Sequence, residues 1–367
     1  MRLAIVFSWL NQYGGAERVL EVVHDMYPQA PIYTSVYRSE ALPERYRHWD
    51  IRPSFMDHIP LARRKQQWFL PLYPLAFESF DLRGYDLVLS IPSGFAHGVL
   101  TSEHTPHVCY CLTPPRFLWS YHGYIEREGV SRLGQAIMAP MLKSLRLWDL
   151  AAANRVDRFV AISRTVRERI AKHYRRDADI IYPPVDIDLV GAAADVPAGD
   201  YYLVTSRLVP YKRIDLAVRA FTELGLPLKI VGEGRDRAAL ERLAGPNVEF
   251  LGFVRDDAEV RRLMASCKAF VFPGEEDFGL TPVEALSAGR PVIAYGAGGA
   301  LDTVSEGRTG VLFDEPTPAS LAAAVRRLEG LTFDSATLRA EAQRFGVPRF
   351  QLELDAVLQR ALGQHKQ

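Results

Sequence analysis

The fold is decided by the stretch YLVTSRLVPYKRIDLAVRAFTELGLPLKIVGEG, residues 202–234. It opens with a short apolar run, Tyr202–Thr205, and passes through a polar loop into Arg213–Leu224, where apolar residues recur at helical spacing. A second apolar run, Leu228–Val231, follows directly. A strand, a helix and a strand in this order predict a βαβ unit, and therefore a parallel sheet.

The same alternation of apolar runs and amphipathic helical stretches continues along the whole chain. The predicted strands are Leu3–Phe7, Ile32–Ser35, Asp86–Ile91, Val108–Leu112, Arg158–Ile162, Tyr202–Thr205, Leu228–Val231, Val248–Leu251, Ala269–Phe272 and Pro291–Ala294. Helices are predicted at Ala16–Met26, Arg132–Ala152, Arg164–His173, Arg213–Leu224, Asp236–Leu243, Asp256–Ala265, Thr281–Ser287 and Pro318–Leu328. A further helical region is predicted from Ser335 to Leu362, interrupted at Gly346-Val347-Pro348. Ten strands in 367 residues are better explained by two doubly wound α/β domains than by one sheet.

The boundary between the two predicted domains falls at Tyr182-Pro183-Pro184-Val185-Asp186. Two successive prolines neither continue a helix nor fit a central strand, so they stiffen a linker. We therefore predict a first Rossmann-like domain over residues 1–183, a second over 184–345, and a C-terminal helix over 346–367 that packs toward the first. Two such domains would face each other across a cleft at the carboxyl ends of their sheets, where ligands bind in folds of this kind.

Composition and charge exclude several classes of protein. With 48% hydrophobic and 24% charged residues, the chain is expected to be globular rather than disordered, coiled-coil or collagen-like. Residues 1–183 carry 23 basic and 18 acidic side chains, whereas residues 184–367 carry 21 basic and 26 acidic side chains. A basic half and an acidic half predict two surfaces with different partners. The sequence has no apolar run of about 18 residues and no signal-peptide pattern, so a cytoplasmic protein is expected.

The three cysteines are Cys109, Cys111 and Cys267. An odd number without framework spacing argues against disulfides and for a reducing compartment. Cys109 and Cys111 alternate in HVCYCLT and should share one face of a buried strand, so a structural role is favoured over a metal or redox role.

Basic residues in the loop TSRLVPYKR follow the strand Tyr202–Thr205 and so leave the carboxyl edge of the sheet. The planar guanidinium of Arg207 can bind a phosphate through two hydrogen bonds, and the flexible side chain of Lys212 can bring a positive charge to the same phosphate. Taken alone, the segment is equally consistent with ordinary surface charges on a solvated loop. The nearby VGEG, residues 231–234, lacks the third glycine of a dinucleotide fingerprint, which disfavours a nicotinamide-dependent oxidoreductase.

The segment PGEEDFGLTPVEAL, residues 273–286, runs from a strand through a loop into a helix. Gly279 has no side chain to cover the backbone N–H groups at the start of the helix, so a pyrophosphate could accept hydrogen bonds from them. Glu276 in the loop and Glu284 about two turns into the helix could hold two hydroxyl-bearing parts of one ligand. Alternatively, Glu276 and Asp277 stabilise the helix N-terminus through its dipole, which leaves Glu284 unexplained. The Gly-rich turn GAGGA, residues 296–300, is predicted at the same edge.

These segments together carry a resemblance to a known family. SRLVPYK, VGEG, LGFV, the segment from Glu276 to Glu284 with its AGRPVIAY continuation, and GRTGVLF resemble, in order and spacing over about 200 residues, the retaining glycosyltransferase family 4. The resemblance implies the GT-B fold, with a nucleotide sugar held mainly by the second domain. It also implies a hexosyltransferase that keeps the anomeric configuration and uses no metal and no cofactor beyond its nucleotide-sugar co-substrate.

The resemblance assigns roles to individual residues. Arg207 and Lys212 correspond to the diphosphate-binding pair, which would offset the charge of the leaving group. Glu276 corresponds to the carboxylate that holds the hydroxyls of the donor sugar, and Glu284 to the one that holds the ribose. The residues assigned to donor binding are Gly14, Gly15, Arg207, Lys212, Phe278, Gly279, Leu280 and Glu284. For the loop at Gly14, a plain turn into a helix is the alternative.

HVCYCLTPPRFLW is similar to a segment of the WbaZ-like mannosyltransferases of bacterial polysaccharide and lipopolysaccharide synthesis. That subgroup commonly has a histidine before Thr-Pro, whereas this chain has Leu112, which neither donates a hydrogen bond nor handles a proton. His97, His122 and Arg116 are candidates for sugar or acceptor contacts. For each histidine a structural or acceptor-side role is favoured over substitution for the missing histidine at position 112. The departure at Leu112 leaves two alternatives open, a nucleotide-sugar-binding partner without activity and a GT-B epimerase.

The subgroup resemblance favours GDP-mannose as donor and a saccharide or lipid-linked saccharide as acceptor. Arg63-Arg64-Lys65 joins a basic cluster to an aromatic and apolar stretch that continues to Phe80. Such a segment could contact an anionic membrane surface at the inner face of the plasma membrane, or form a solvated helix face. A nucleic-acid partner is not expected, because no recognised binding motif accompanies the cluster.

Overall fold

The computed structural model describes residues 1–120, 132–187 and 197–365. The chain divides into two units: the first comprises Met1–Tyr182 together with Phe350–Gln367, and the second comprises Pro183–Arg349. Each unit contains one parallel β-sheet with helices in the connections between its strands, so the predicted α/β class with two doubly wound sheets is confirmed. Among the described residues, no helix is both long enough and apolar enough to cross a bilayer.

The sheet of the first unit has seven strands in the order β3-β2-β1-β4-β5-β6-β7. They are β1 (Leu3–Phe7), β2 (Ile32–Thr34), β3 (Ile51–Pro53), β4 (Leu87–Ile91), β5 (His107–Cys111), β6 (Arg158–Ala161) and β7 (Ala178–Ile180). The central strands β1 and β4 are buried along their whole length, as expected for apolar runs covered on both faces. The strand order reverses at β1, and ligands of open α/β sheets bind at the carboxyl ends of strands beside such a reversal.

The helices of the first unit lie in the connections between its strands. They are α1 (Gly15–Met26), α2 (Pro60–Arg64), α3 (Tyr73–Glu78), α4 (Arg116–Trp119), α5 (Arg132–Asn154) and α6 (Arg164–Tyr174). The last helix of the chain, Val347–His365, belongs to this unit from Phe350 onward. There the ring of Phe350 lies 5.5 Å from that of Tyr110, and the hydroxyl of Tyr27 donates a 2.7 Å hydrogen bond to Asp355.

The sheet of the second unit has six parallel strands in the order β10-β9-β8-β11-β12-β13. They are β8 (Tyr202–Thr205), β9 (Leu228–Val231), β10 (Val248–Gly252), β11 (Ala269–Phe272), β12 (Val292–Tyr295) and β13 (Gly310–Phe313). Its helices are α7 (Ile214–Leu224), α8 (Arg237–Glu241), α9 (Asp257–Ser266), α10 (Leu280–Ser287), α11 (Ala300–Thr303), α12 (Pro318–Glu329) and α13 (Ser335–Ala342), and the chain's last helix, α14, begins at Val347. Helix α7 buries Leu216, Ala217, Ala220 and Phe221 against β8 and β9, which fixes where the loop after β8 ends.

The described residues contain thirteen strands, three more than predicted. The three missed strands, β3, β7 and β13, each lie at an edge of a sheet. The prediction for β5 was shifted by one residue, so Leu112 lies just beyond the strand rather than at its end. The predicted interruption of the last helical region is confirmed at Gly346, and helix α14 resumes at Val347 because Pro348 fits the first turn of a helix.

A buried carboxylate joins four segments of the first unit. Asp149 in α5 is fully buried, and its Oδ2 accepts hydrogen bonds from Nε1 of Trp119 at 2.7 Å and from the hydroxyl of Tyr174 at 2.8 Å. Its Oδ1 lies 3.3 Å from Nε2 of His97, in the geometry of an ion pair rather than of a hydrogen bond. Burial by itself lowers the pKa of His97, but the neighbouring Asp149 outweighs burial, so that pKa is raised above its usual value.

We expect His97→Gln to lower the free energy of unfolding by about 1–2 kcal/mol near pH 6, because Asp149 loses a charged partner. A histidine whose pKa is raised on folding stabilises the fold below its ordinary pKa of about 6.5, and this contribution is lost as the pH rises through the folded-state value. The difference between wild type and variant should therefore shrink at alkaline pH. Urea unfolding of wild type and variant near pH 6 and at alkaline pH measures the free energies of unfolding. If the difference in free energy between the two proteins grew with pH, the ion pair would be contradicted.

Candidate functional site

The loop that follows β8 carries the first of the candidate side chains. Arg207 is exposed, and its Nη2 donates a 2.7 Å hydrogen bond to the hydroxyl of Tyr211, four residues further along. Sequence reasoning missed Tyr211 as a partner of this arginine. The only signal was the four-residue spacing, which by itself does not predict a contact outside a helix. The hydrogen bond holds the guanidinium at the carboxyl edge of the sheet.

The glycines of VGEG support this loop. The amides of Ser206 and Leu208 donate hydrogen bonds to the carbonyls of Val231 and Glu233 at 3.0 and 2.9 Å. Gly232 has a φ of 136°, and a β-carbon there would overlap the carbonyl oxygen of Ser206. The close approach at Gly232 is therefore to the protein's own backbone, and it positions the loop that carries Arg207.

Lys212 and Glu276 come together in the structure. Lys212 ends the short turn Pro210–Lys212, and its Nζ forms an ion pair with Oε1 of Glu276, which belongs to the loop after β11. The two side chains are 15% and 22% exposed, so the pair is largely shielded from water. The same Nζ lies 5.4 Å from the centre of the Tyr211 ring. One basic and one acidic candidate from separate loops thus share a single location.

The loop after β11 leads into helix α10. Gly279 caps the helix with a φ of 83°, a conformation that disfavours any other residue, and no side chain caps the helix there. Phe278 is buried with its ring 5.5 Å from that of Phe345, whereas Leu280 is half-buried at the first position of the helix. The backbone amides of the first turn have no partner within an α-helix and are suited to an anion.

The two carboxylates of the paired motif differ in setting. Glu284 is half-buried and is the fifth residue of α10, so it lies little more than one turn from the start of the helix rather than the two turns predicted. Its backbone carbonyl accepts a 2.8 Å hydrogen bond from the hydroxyl of Ser287. Glu276 lies in the loop, and its carbonyl accepts a 2.8 Å hydrogen bond from the amide of Gly299. The Gly-rich turn after β12 therefore supports the loop that carries Glu276.

The candidates of the first unit lie in several elements. Gly14 caps α1 and Gly15 is its first residue. Arg116 is half-buried at the first position of α4, and Leu112 is 7% exposed directly after β5. His97 is 2% exposed and contacts Asp149 rather than solvent. His122 lies outside the described residues.

The cysteines are buried and form no disulfide: Cys109 and Cys111 lie in β5, and Cys267 lies just after α9. Burial is the largest influence on Cys267 and raises the pKa of its thiol to about 12, so it stays protonated at neutral pH. Within residues 1–120, 132–187 and 197–365, no group of three or more His, Cys, Asp and Glu side chains is arranged to hold a metal ion.

Comparison with known proteins gives matches over both units. The family model described as Glycosyltransferase Family 4 matches residues 13–189, and the model described as Glycosyl transferases group 1 matches residues 197–344. A GDP-mannose-dependent alpha-mannosyltransferase from Mycolicibacterium smegmatis is 32% identical over 284 residues, which cover 72% of this chain and 68% of the relative.

Two further proteins extend the comparison. An uncharacterized glycosyltransferase from Methanocaldococcus jannaschii is 26% identical over 190 residues, so the match spans 50% of this chain and about half, 53%, of that relative's length. The crystal structure of HepE from Anabaena in complex with UDP has a TM-score of 0.68 at 20% identity and covers 98% of this chain and 100% of that one.

Two parallel α/β sheets, with charged loops and a helix start at the carboxyl edge of the second, define a protein of the GT-B class. The matches over both halves of the chain then specify the family: the chain belongs to glycosyltransferase family 4.

Proposed function

We propose that the protein transfers a hexosyl group, with retention of anomeric configuration, from a nucleoside-diphosphate sugar to a hydroxyl of a saccharide or lipid-linked saccharide. The observation that carries the proposal is the cluster at the carboxyl edge of the second sheet. There Arg207, Lys212 and the start of α10 supply positive charge and N–H donors, while Glu276 and Glu284 supply acceptors for hydroxyls.

Each group has one task in the proposed reaction. The acceptor oxygen bonds to the anomeric carbon on the face from which the nucleotide leaves, the bond from that carbon to the diphosphate breaks, and the acceptor proton passes to the departing phosphate oxygen. Arg207 and Lys212 stabilise the charge that develops on this phosphate, and the amides at Phe278, Gly279 and Leu280 face sugar and phosphate. Glu276 holds the sugar hydroxyls and Glu284 holds the ribose. The proposal therefore assigns no metal to the leaving group.

We propose GDP-mannose as the donor and place the chain with the WbaZ-like mannosyltransferases of polysaccharide synthesis. The support is the name of the Mycolicibacterium smegmatis relative, a GDP-mannose-dependent alpha-mannosyltransferase. A second mannosyltransferase of the same name, from Mycobacterium tuberculosis, is 41% identical over 107 residues. UDP in the HepE complex makes the uridine nucleotides the necessary comparison.

Calorimetric titration of the purified protein with GDP-mannose, GDP, UDP-glucose and UDP tests the donor. Binding confined to the guanosine pair supports the mannosyl donor. Binding confined to the uridine pair keeps the transferase but contradicts the mannosyl donor, and absence of binding by all four contradicts the donor site. Incubation of the donor with and without saccharide acceptors separates transfer from epimerisation, which needs no acceptor. Mass spectrometry detects the glycosylated acceptor, and proton NMR of the nucleotide sugar detects an epimer, which has the same mass as the donor.

We also propose that the region around Arg63-Arg64-Lys65 contacts an anionic membrane surface at the inner face of the plasma membrane. Arg63 has a structural partner, since its Nε donates a 2.7 Å hydrogen bond to the carbonyl of the buried Asp57. Arg64 and Lys65 remain exposed, and Nζ of Lys65 lies 4.4 Å from the ring centre of Trp68. Trp68 is 64% exposed, so an aromatic ring and the positive charge of Lys65 lie together on an accessible surface, as membrane interfaces favour.

We expect Trp68→Ser to weaken sedimentation with vesicles rich in phosphatidylglycerol by about fivefold or more, because the variant loses apolar area that enters the headgroup layer. Leu352→Ser is the matched control, since Leu352 is even more exposed but lies in α14. Equal losses in both variants, or equal binding of wild type to neutral phosphatidylcholine vesicles, would contradict a specific membrane contact.

A further inference from the structure

The ion pair between Lys212 and Glu276 has a consequence for which ligand the site prefers. The proposed function, on which this inference rests, asks Lys212 to bind the diphosphate and Glu276 to bind the sugar. In the structure the two side chains neutralise each other. A diphosphate that takes Lys212 must therefore draw it away from Glu276, and the carboxylate then needs a different partner.

We propose that Glu276 makes the site discriminate between the nucleotide sugar and the nucleoside diphosphate that remains after transfer. In the nucleotide sugar, hydroxyl groups can donate hydrogen bonds to the carboxylate once Lys212 has turned to the diphosphate. The free nucleoside diphosphate lacks these donors, so its phosphates take Lys212 away and leave the largely shielded carboxylate of Glu276 without a partner. Glu276 thus favours binding of the donor and opposes binding of the product.

The setting of the pair makes the effect large enough to measure. The side chains are 15% and 22% exposed, and charge interactions at such positions are screened less than those of fully exposed pairs. Both backbones are held in place: the amide of Lys212 donates a 3.0 Å hydrogen bond to Val209, and the carbonyl of Glu276 accepts the 2.8 Å hydrogen bond from Gly299. An exchange of partners is therefore confined to the two side chains.

The test compares two ligands in one variant. We expect Glu276→Gln to bind GDP, or UDP if that is the nucleotide bound by wild type, about three- to tenfold more tightly than wild type, because Lys212 is released from a charged competitor. The same variant should bind the corresponding nucleotide sugar more weakly than wild type, because an amide is a poorer acceptor for sugar hydroxyls than a carboxylate. Opposite signs for the two ligands are the signature, measured by calorimetry.

Two controls separate the pair from general electrostatics. Asp277→Asn removes the same charge from the adjacent residue, and a gain in nucleoside-diphosphate affinity of equal size there would overturn the inference. In a Lys212→Ala background, Glu276→Gln should produce a gain below about twofold, because no competition for the ammonium remains. If Glu276→Gln raised the affinity for the nucleoside diphosphate as much in this background as in wild type, the inference would also be overturned. Thermal unfolding of each variant confirms that the measured protein is folded.

The remaining outcomes distinguish the inference from the proposed function. If wild type binds the nucleoside diphosphate and Glu276→Gln binds it equally or more weakly, the inference fails and the proposed donor site stands. If neither wild type nor any variant binds nucleotides, the proposed function fails and the inference fails with it.

Discussion

Arg207→Ala is expected to weaken binding of the nucleoside diphosphate by ~2–4 kcal/mol, which is a roughly 30- to 900-fold rise in Kd. The guanidinium is exposed at the carboxyl edge of the second sheet and is held there by the hydroxyl of Tyr211. A planar group with parallel N–H donors can bind two oxygens of a diphosphate at once, and alanine leaves both without a donor. Calorimetry at one fixed salt concentration measures the change.

Three variants make the result specific to Arg207. Arg219→Ala removes an exposed arginine from α7 in the same unit and should change Kd by less than about twofold. Arg207→Lys keeps the charge without the planar fork and should recover only part of the affinity. Tyr211→Phe, which loses the supporting hydroxyl, should show a smaller loss than alanine at 207. Unchanged affinity in a folded Arg207→Ala protein would remove this residue from the donor site.

Gly299→Ala is expected to destabilise the second unit by about 3 kcal/mol or more, corresponding to a fall in Tm of roughly 6–12 °C. Its φ of −68° suits alanine, so the backbone conformation costs nothing. The added β-carbon, however, would lie 2.5 Å from the carbonyl carbon of Phe278 and closer still to its Cα and oxygen. Those are backbone atoms that no side-chain rotation can move aside, and they belong to the loop that carries Glu276.

The matched control is Gly330→Ala. Gly330 also has a negative φ, −85°, and a β-carbon there would meet nothing closer than the carbonyl oxygen of Arg327 at 3.5 Å. We expect its Tm to stay within about 2 °C of wild type or to rise slightly, since alanine reduces the entropy of the unfolded chain. Differential scanning calorimetry compares the Tm values of the two variants. Similar values would mean that the backbone around Gly299 shifts to accommodate the β-carbon, and the predicted destabilisation would be wrong.

The central strands could be predicted because apolar residues dominate each of them, although Lys229 interrupts Leu228–Val231. Leu3–Phe7, Leu228–Val231 and Ala269–Phe272 were placed at the right residues by composition alone. Of the four edge strands only β10 was predicted, and β3, β7 and β13 were missed. Ile51–Pro53 ends in a proline and Ala178–Ile180 contains an aspartate, and each is only three residues long. Such residues are tolerated at an edge because one side of the strand has no neighbour to pair with.

Only those features of the site that depend on residues close together in the sequence could be predicted. Residue type and position after a strand indicated Arg207, Lys212 and Glu276 as candidates, but not the ion pair between the last two, which joins positions 64 residues apart. For the same reason, nothing in GAGGA indicated that Gly299 would pack on Phe278. The resemblance to family 4 assigned Lys212 and Glu276 to one donor site, because a family motif implies an arrangement of residues distant in sequence, but it did not predict that the two side chains would pair.

The last helix has a consequence for synthesis on the ribosome. Its segment from Phe350 onward belongs to the first unit, whose other part ends at Tyr182, so the whole of Pro183–Arg349 is translated in between. At about 5–20 residues per second that delay is roughly 10–30 s. Throughout it, Tyr27 and Tyr110 lack the partners that Asp355 and Phe350 provide. The first unit therefore cannot form its last contacts until the second unit has been synthesised. All strands of the second sheet, in contrast, have been synthesised before Phe350 is reached.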